Sequence, residues 1–227
     1  MALGACALAL ATLAAAPAAA QDEGGLAGEA EALPRRGAKF ATQKGWVVLD
    51  AAWRDAVSAA IEKKLWSGLP TVIAARIYLF PEGGDEPLSL AVKTCRIVYD
   101  LWDEVFRIEL RQGGTVRNTV AVNLEGVQRR CGQARLLPVA DTVVLAAGQR
   151  YFAGLLVEVN PVGKQILERI RRWVTLPSGA GTITAGDSLF GSFVGLFVTH
   201  VPAADRTVAF RTQFFTPAEL EVVPAPP

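Results

Sequence analysis

The chain has 227 residues, of which 23 are basic and 22 acidic, and this balance argues against a general nucleic-acid-binding surface, which needs a strong basic excess. Hydrophobic residues make up 51% of the sequence, which argues against disorder over the body of the chain. A chain of this length is long enough to bury the core of one domain.

The first twenty residues predict an export signal. They carry no charge, are apolar over residues 6–11 and end in three alanines at residues 18–20. An apolar stretch followed by small residues is typical of a signal peptide and its cleavage site. Two alternatives stay open, a lipoprotein cleavage site at Cys6 and a retained anchor. We expect residues 1–20 to be a signal peptide and the protein to be exported to the periplasm or outer envelope.

The rest of the chain divides by composition into three parts. Residues 21–44 are rich in Gly, Ala, Glu and Pro without periodicity, which predicts a flexible linker. Residues 45–216 are expected to form a single domain, and the Pro-rich residues 217–227 a disordered tail. The most apolar later run, residues 189–198, is too short to span a membrane, which takes about 20 residues. We therefore predict no transmembrane span in the mature chain.

The apolar pattern predicts a mainly β domain with two or three short helices. A strand over Trp46–Leu49 is followed by Asp50, the expected cap of a helix with Trp53 and Ile61 on its buried stripe. Further strands are predicted over residues 72–80, 88–101, 105–111, 115–122, 139–145, 150–159, 193–200 and 206–215, and further helices over 124–131 and 163–174. Seven to nine short strands separated by turns favour an antiparallel β-sandwich-like fold.

Removal of the signal leaves two cysteines, Cys95 and Cys131. In an oxidising compartment two cysteines most simply form one disulfide. Such a bond would contribute about 3–4 kcal/mol to stability. Two buried free thiols remain the alternative, because spacing alone does not reveal geometry.

The most distinctive stretch is residues 99–104, where three carboxylates flank a tryptophan. Paired carboxylates occur in acid–base catalysis and in Ca²⁺ binding, but a turn between two strands with its aromatic side chains in the core gives the same pattern. We predict a turn here and take the stretch as the first candidate for contact with a partner. The candidate residues are Tyr99, Asp100, Trp102, Asp103 and Glu104.

The predicted helix over residues 163–174 has a basic face and an apolar face. One interpretation is a helix that contacts anionic lipid at a membrane surface. The favoured interpretation is an ordinary surface helix packed on a sheet, which shows the same pattern. The residues of the possible membrane contact are Lys164, Arg169, Arg171, Arg172 and Trp173.

Residues 186–189, Gly-Asp-Ser-Leu, resemble the signature of the GDSL esterases, in which the serine is a nucleophile and a histidine its base. The family's Asp-x-x-His block has no counterpart, because the sole histidine, His200, has Phe197 three residues before it. We therefore favour a polar loop at Ser188 over a catalytic serine. A lone histidine also provides no basis for a metal site, so no metal or cofactor is predicted.

The order of features resembles a bacterial family of exported proteins known only for a domain of unknown function. The resemblance covers residues 46–173. The matching parts are Leu49-Asp50 and the helix ending at Ser67–Pro70, the strand with Arg76-Ile77-Tyr78, the strand at residues 99–102, and the strand at 148–161. The family implies a periplasmic β-rich domain and provides no catalytic residues.

Three functions follow as expectations. The first is a non-catalytic interaction or accessory module of the envelope, with a protein partner and no nucleic acid. The second is a carrier or sensor of a small apolar ligand held between the sheets. The third and least favoured is a serine esterase through Ser188, which needs His200 within hydrogen-bond reach.

Overall fold

The computed structural model describes residues 26–84, 86–161 and 204–224. Their strands are β1 Lys39–Gln43, β2 Trp46–Ala52, β3 Thr71–Pro81, β4 Ser89–Asp100, β5 Val105–Gln112, β6 Thr115–Ala121, β7 Gln133–Asp141, β8 Tyr151–Val159, β9 Arg206–Arg211 and β10 Glu221–Val222. Their α-helices are α1 Leu26–Glu31, α2 Ala59–Trp66 and α3 Leu124–Cys131, and 3₁₀ turns lie at Arg54–Ala56, Thr142–Val144 and Pro217–Glu219.

The described strands form two sheets that pack on each other. The larger sheet is antiparallel, in the order β6-β5-β4-β3-β8-β9. The smaller sheet has the order β10-β1-β2-β7 and is mixed, because β10 runs parallel to β1. The predicted mainly β, sandwich-like fold is therefore confirmed.

The main core lies between the two sheets. The alternation predicted for β5 is present, since Phe106 and Ile108 are buried while Arg107 is exposed. Strand β8 is buried along its whole length because both faces of the larger sheet are covered near its centre. On the outer face, a second apolar cluster includes Phe80 and Phe152, whose rings stack with centroids 5.3 Å apart.

Cys95 on β4 and Cys131 at the end of α3 lie at disulfide-bonding distance, with Cα atoms 5.6 Å apart. That separation lies within the range of natural disulfides. Both cysteines are buried in the main core. The predicted pairing is confirmed, and it ties α3 to the centre of the larger sheet.

Two side chains satisfy carbonyl groups at the C-terminal end of α3. The Lys93 ammonium donates hydrogen bonds to the Arg130 carbonyl at 2.8 Å and to the Gln133 carbonyl at 2.5 Å. The Trp53 indole N–H donates to the Cys131 carbonyl at 2.9 Å. The last carbonyls of a helix have no partner within the helix, and a cation near them is favourable. These contacts therefore hold α3 against the core beside the disulfide.

The helix predicted directly after Asp50 begins later. Strand β2 continues to Ala52, and the α-helix begins only at Ala59, after a 3₁₀ turn. Asp50 is not a helix cap, because its carboxylate accepts a hydrogen bond from the Leu136 N–H of β7. The expected stripe is nevertheless buried, with Trp53 and Ile61 in the core.

The predicted flexible linker over 21–44 is wrong for residues 26–43, which form α1, a connecting segment and β1. Ala30 is fully buried, and Arg36 donates two hydrogen bonds to the Asp55 carboxylate at 2.7 and 2.8 Å. The Arg36 guanidinium also lies over the Phe210 ring, 4.5 Å from its centroid. Single contacts of this kind leave no periodic pattern in the sequence. The sequence therefore predicts a linker where the chain is folded.

The predicted disordered tail over 217–227 is wrong for residues 217–224. Thr216 and Glu219 form a capping box around the 3₁₀ turn, and β10 pairs with β1. Just before the tail, Phe215 is buried and its ring stacks on that of Phe40, with centroids 4.1 Å apart. The folded part of the chain therefore extends past the boundary predicted at residue 216.

The strand predicted over residues 139–145 also differs, because the observed β7 ends at Asp141 and a 3₁₀ turn follows. The Asp141 carboxylate accepts a hydrogen bond from the Val143 N–H, which begins this turn. The helix predicted over 163–174 and the strand predicted over 193–200 lie outside the described residues.

Candidate functional site

The candidate site is the turn between β4 and β5, at one end of the sandwich. Asp100 pairs with Val105 across the strands, so residues 101–104 form the connection. Trp102 lies in this connection with 96% of its surface exposed, and its neighbour Leu101 is 65% exposed. The strand pairing thus presents two large apolar side chains to solvent.

Asp100 determines the shape of this turn. One carboxylate oxygen accepts hydrogen bonds from the backbone N–H groups of Trp102 at 3.0 Å and Asp103 at 3.1 Å. The other accepts from the Arg107 guanidinium at 2.7 Å, and Arg107 also pairs with Asp103. An aspartate that binds backbone N–H groups two and three residues ahead closes a local turn. The conformation of the turn is therefore specified within residues 100–107.

The same contacts control the charge of Asp100. The Arg107 guanidinium, together with the N–H groups of Asp103 and Trp102, holds the pKa of this carboxyl below its usual value of about 3.8. The pairing also raises the pKa of Arg107. A carboxyl with a lowered pKa is ionised at neutral pH and has no proton to donate. The arrangement suits a structural role for Asp100 in the turn.

An aromatic cluster lies next to the turn. The Trp66 ring, at the end of α2, packs edge-on against Tyr99 and Phe106, with centroid distances of 4.7 and 4.8 Å. Trp66 still has 44% of its surface exposed. Tyr99, by contrast, packs partly buried against the main core.

The loop after α2 brings one more apolar side chain to this end of the molecule. Gly68 lies so close to the turn that a Cβ there would be 3.5 Å from the Tyr99 carbonyl and 3.7 Å from the Leu101 side chain. Its φ of +76° suits glycine at the end of a helix. The next residue, Leu69, is 66% exposed. We call the exposed set Trp66, Leu69, Leu101 and Trp102 the tip surface.

The predicted partner patch divides into two groups in the structure. Trp102, Asp103 and Glu104 are exposed, whereas Tyr99 lies partly buried beneath the turn and Asp100 is occupied by its hydrogen bonds. Sequence analysis missed the other members of the tip surface. Trp66 precedes Gly68, and Leu69 lies between Gly68 and Pro70, the two residues that signal the end of the helix. Apolar residues at such a helix-ending loop were the available clue.

The remaining candidates lie outside the described residues and stay predictions. They are Ser188 and His200 of the esterase hypothesis, and the basic helix with Lys164, Arg169, Arg171, Arg172 and Trp173.

The described residues contain neither a grouped set of metal-binding side chains nor a membrane-spanning helix. Within residues 26–84, 86–161 and 204–224, no three His, Cys, Asp or Glu side chains are grouped as they would be around a metal ion. No helix in the same ranges has both the length and the apolar character needed to span a membrane.

We compared the chain with protein-family models, with curated proteins and with solved structures, and none of the three comparisons found a match. The molecule is thus defined by its mainly β, sandwich-like fold. The resemblance to a family of exported bacterial proteins stays a prediction.

Proposed function

We propose that this chain is an exported, non-catalytic interaction module of the cell envelope, which binds a protein partner through the tip surface. The observation that carries the proposal is Trp102, almost fully exposed on a turn held by Asp100 and Arg107. Contiguous exposed apolar residues on a folded domain are typical of binding sites.

The energetics of binding support this role. Tryptophan is enriched among the few residues that dominate protein–protein affinity. Ordering a mobile loop on binding costs free energy, and a turn that is already closed avoids most of that cost. The Asp100 hydrogen bonds to Trp102 and Asp103 therefore favour a turn that is prepared for contact.

The charges around the tip surface indicate the chemistry of the partner. Asp103 and Glu104 are exposed beside Trp102, while Arg107 offsets part of the local negative charge. A partner with an apolar pocket and Lys or Arg side chains at its rim would be complementary.

Export to an oxidising compartment is part of the proposal. The pair Cys95–Cys131 supports it, because disulfides persist outside the reducing cytoplasm. The predicted signal peptide over residues 1–20 gives the same localisation.

The test is in-cell cross-linking with the full chain as bait, followed by mass spectrometry of envelope fractions. We expect a specific envelope protein to be recovered with the wild type and lost with Trp102→Ala. Truncation of a central interface tryptophan costs about 2 kcal/mol or more, which corresponds to roughly thirtyfold in affinity. The purified partner would then be titrated by calorimetry against both variants.

The matched control is Val143→Ala, which shortens an exposed apolar side chain on the 3₁₀ turn after β7. This variant is expected to recover the partner as the wild type does. Equal recovery with Trp102→Ala would contradict the proposal. A loss of the partner cannot come from unfolding, because the Trp102 side chain is too exposed for its removal to unfold the domain.

The esterase hypothesis depends on Ser188 and His200 and stays the least favoured alternative. A carrier function has a specific observation in its favour, an open groove at the ends of β4 and β5 opposite to the turn that holds Trp102.

A further inference from the structure

A groove of about 730 Å³ lies where the two sheets diverge, beside the β5–β6 turn. Its apolar lining includes Ala91 on β4, Leu110 on β5, and Leu137 and Val139 on β7. Trp46, at the start of β2, also lines the groove and is partly exposed. This volume lies within the range of small-molecule sites in proteins.

The groove exists because α3 covers only part of β6. At one end of β6, α3 packs so closely that a Cβ at Gly126 would lie 2.9 Å from the Ala121 side chain. Arg130 of α3 also donates a hydrogen bond to the Thr119 hydroxyl at 3.3 Å. The helix ends at Cys131, and the other half of the inward face of β6, with Thr115 and Arg117, opens into the groove.

Two cations line this apolar space. Arg117 pairs across the strands with Leu110, so it lies on the inward face of the larger sheet. Arg135 lines the groove from β7. No aspartate or glutamate is among the described residues of the lining, and neither arginine forms an ion pair within the described part of the chain. The groove thus combines an apolar floor with two guanidinium groups that have no ion-pair partner among the described residues.

We propose that this groove binds a single-chain anionic amphiphile of the fatty-acid class. The acyl chain lies on the floor formed by Ala91, Leu110, Leu137 and Val139, and the carboxylate binds at Arg117 and Arg135. Guanidinium groups bind carboxylates strongly because they donate parallel hydrogen bonds to both oxygens. This ligand site is separate from the tip surface and does not depend on the function proposed for it.

The first test uses the fluorescence of Trp46. A fatty acid brominated in the middle of its chain is titrated into the purified protein below its critical micelle concentration, because bromine quenches a tryptophan that it contacts. We expect saturable quenching in the wild type and in Trp102→Phe. In Trp46→Phe most of the quenching should disappear, while an unbrominated fatty acid still binds by calorimetry.

The second test addresses the charge. The double variant Arg117→Gln/Arg135→Gln is expected to lose about tenfold or more in affinity for the fatty acid, the usual size of a lost charge-assisted hydrogen bond. The methyl ester of the same fatty acid should bind the wild type about tenfold more weakly than the free acid. Arg96→Gln is the matched control, since Arg96 is an exposed cation on the opposite face of the same sheet.

Three outcomes would overturn the proposal. One is the absence of saturable binding by the wild type. Another is equal affinity of the double variant and the wild type, or of the ester and the acid, which would show that the arginines do not hold a carboxylate. The third is a dimer that dissociates in Trp46→Phe during sedimentation at the same concentrations, which would assign the groove to a second copy of the chain.

Discussion

Asp100 and Lys93 show how single charged side chains shape this domain. Asp100 closes a surface turn by accepting two backbone N–H groups, and its hydrogen bonds decide where Trp102 is presented. Lys93 is buried inside the molecule, 8% exposed, and donates hydrogen bonds to carbonyls at and just beyond the end of α3. Each side chain supplies a hydrogen bond to backbone groups that have no partner in the local backbone.

Burial of Lys93 should make stability depend on pH. Burial lowers the pKa of Lys93 from 10.5 to about 8. Between these values the unfolded chain binds more protons than the folded chain, so the free energy of unfolding rises with pH, by about 1 kcal/mol per pH unit. This stabilisation is complete above pH 10.5 and is lost as the pH falls through 8. Urea unfolding of the wild type and Lys93→Met from pH 7 to 10 should show the rise only in the wild type.

The control for this measurement is Lys39→Met, which removes an exposed lysine on β1 and should keep the wild-type slope. Parallel curves for the wild type and Lys93→Met would mean that the Lys93 ammonium is not desolvated in the folded state.

At the scale of elements, the two chain segments outside the predicted domain complete the smaller sheet. β1 belongs to the predicted linker and β10 to the predicted tail, and the two pair in parallel beside β2. Phe215 contributes to this arrangement from just before the tail, since its ring stacks on Phe40 and lies 5.9 Å from that of Tyr151. The packing of these aromatic rings thus holds the N-terminal and the C-terminal segments of the described chain against one core.

Removal of the Phe215 ring should therefore destabilise the whole domain. Truncation of a buried phenylalanine to alanine costs about 3–5 kcal/mol, from lost burial and the cavity left behind. We expect Phe215→Ala to lower the free energy of unfolding by about this amount in urea denaturation. Val222→Ala, at an exposed position of β10, should change it by less than about 0.5 kcal/mol. A negligible effect of Phe215→Ala would mean that the segment around Phe215 is not part of the cooperative unit.

At the scale of the whole molecule, the disulfide joins the two halves of the described core. It links β4 to α3 across a sequence separation of 36 residues. Because α3 precedes β7 of the smaller sheet directly, the bond restricts how far the two sheets can separate at that end. The hydrogen bonds of Lys93 and Trp53 to the same helix end reinforce this link.

Reduction of the disulfide should lower the free energy of unfolding by about 3–4 kcal/mol, the loop-closure entropy expected for a loop of this length. The measurement is urea unfolding with and without a thiol reductant. The double variant Cys95→Ala/Cys131→Ala is the control, because its stability should be insensitive to the reductant. The same unfolding midpoint for the oxidised and the reduced wild type would contradict this expectation.

The elements whose own side chains alternate or repeat could be predicted from the sequence. β5 alternates between buried and exposed residues, and α3 covers the residues expected, because Asn123 caps it locally with a hydrogen bond to the Gly126 N–H. The pairing of Cys95 with Cys131 was predictable because only two cysteines follow the predicted signal. In each case the information lies in short-range pattern or in simple counting.

Tertiary structure alone decided the features that depend on distant partners. Asp50 has the sequence of a helix cap but binds a backbone N–H of β7, and residues 26–43 fold because they meet Asp55 and Phe210 far along the chain. The local sequence is compatible with Trp102 either in the core of its turn or in contact with a partner, and the fold places it in solvent. The groove beside Arg117 likewise depends on where α3 stops. Burial is a property of the neighbours that the fold brings together, and the local sequence does not contain them.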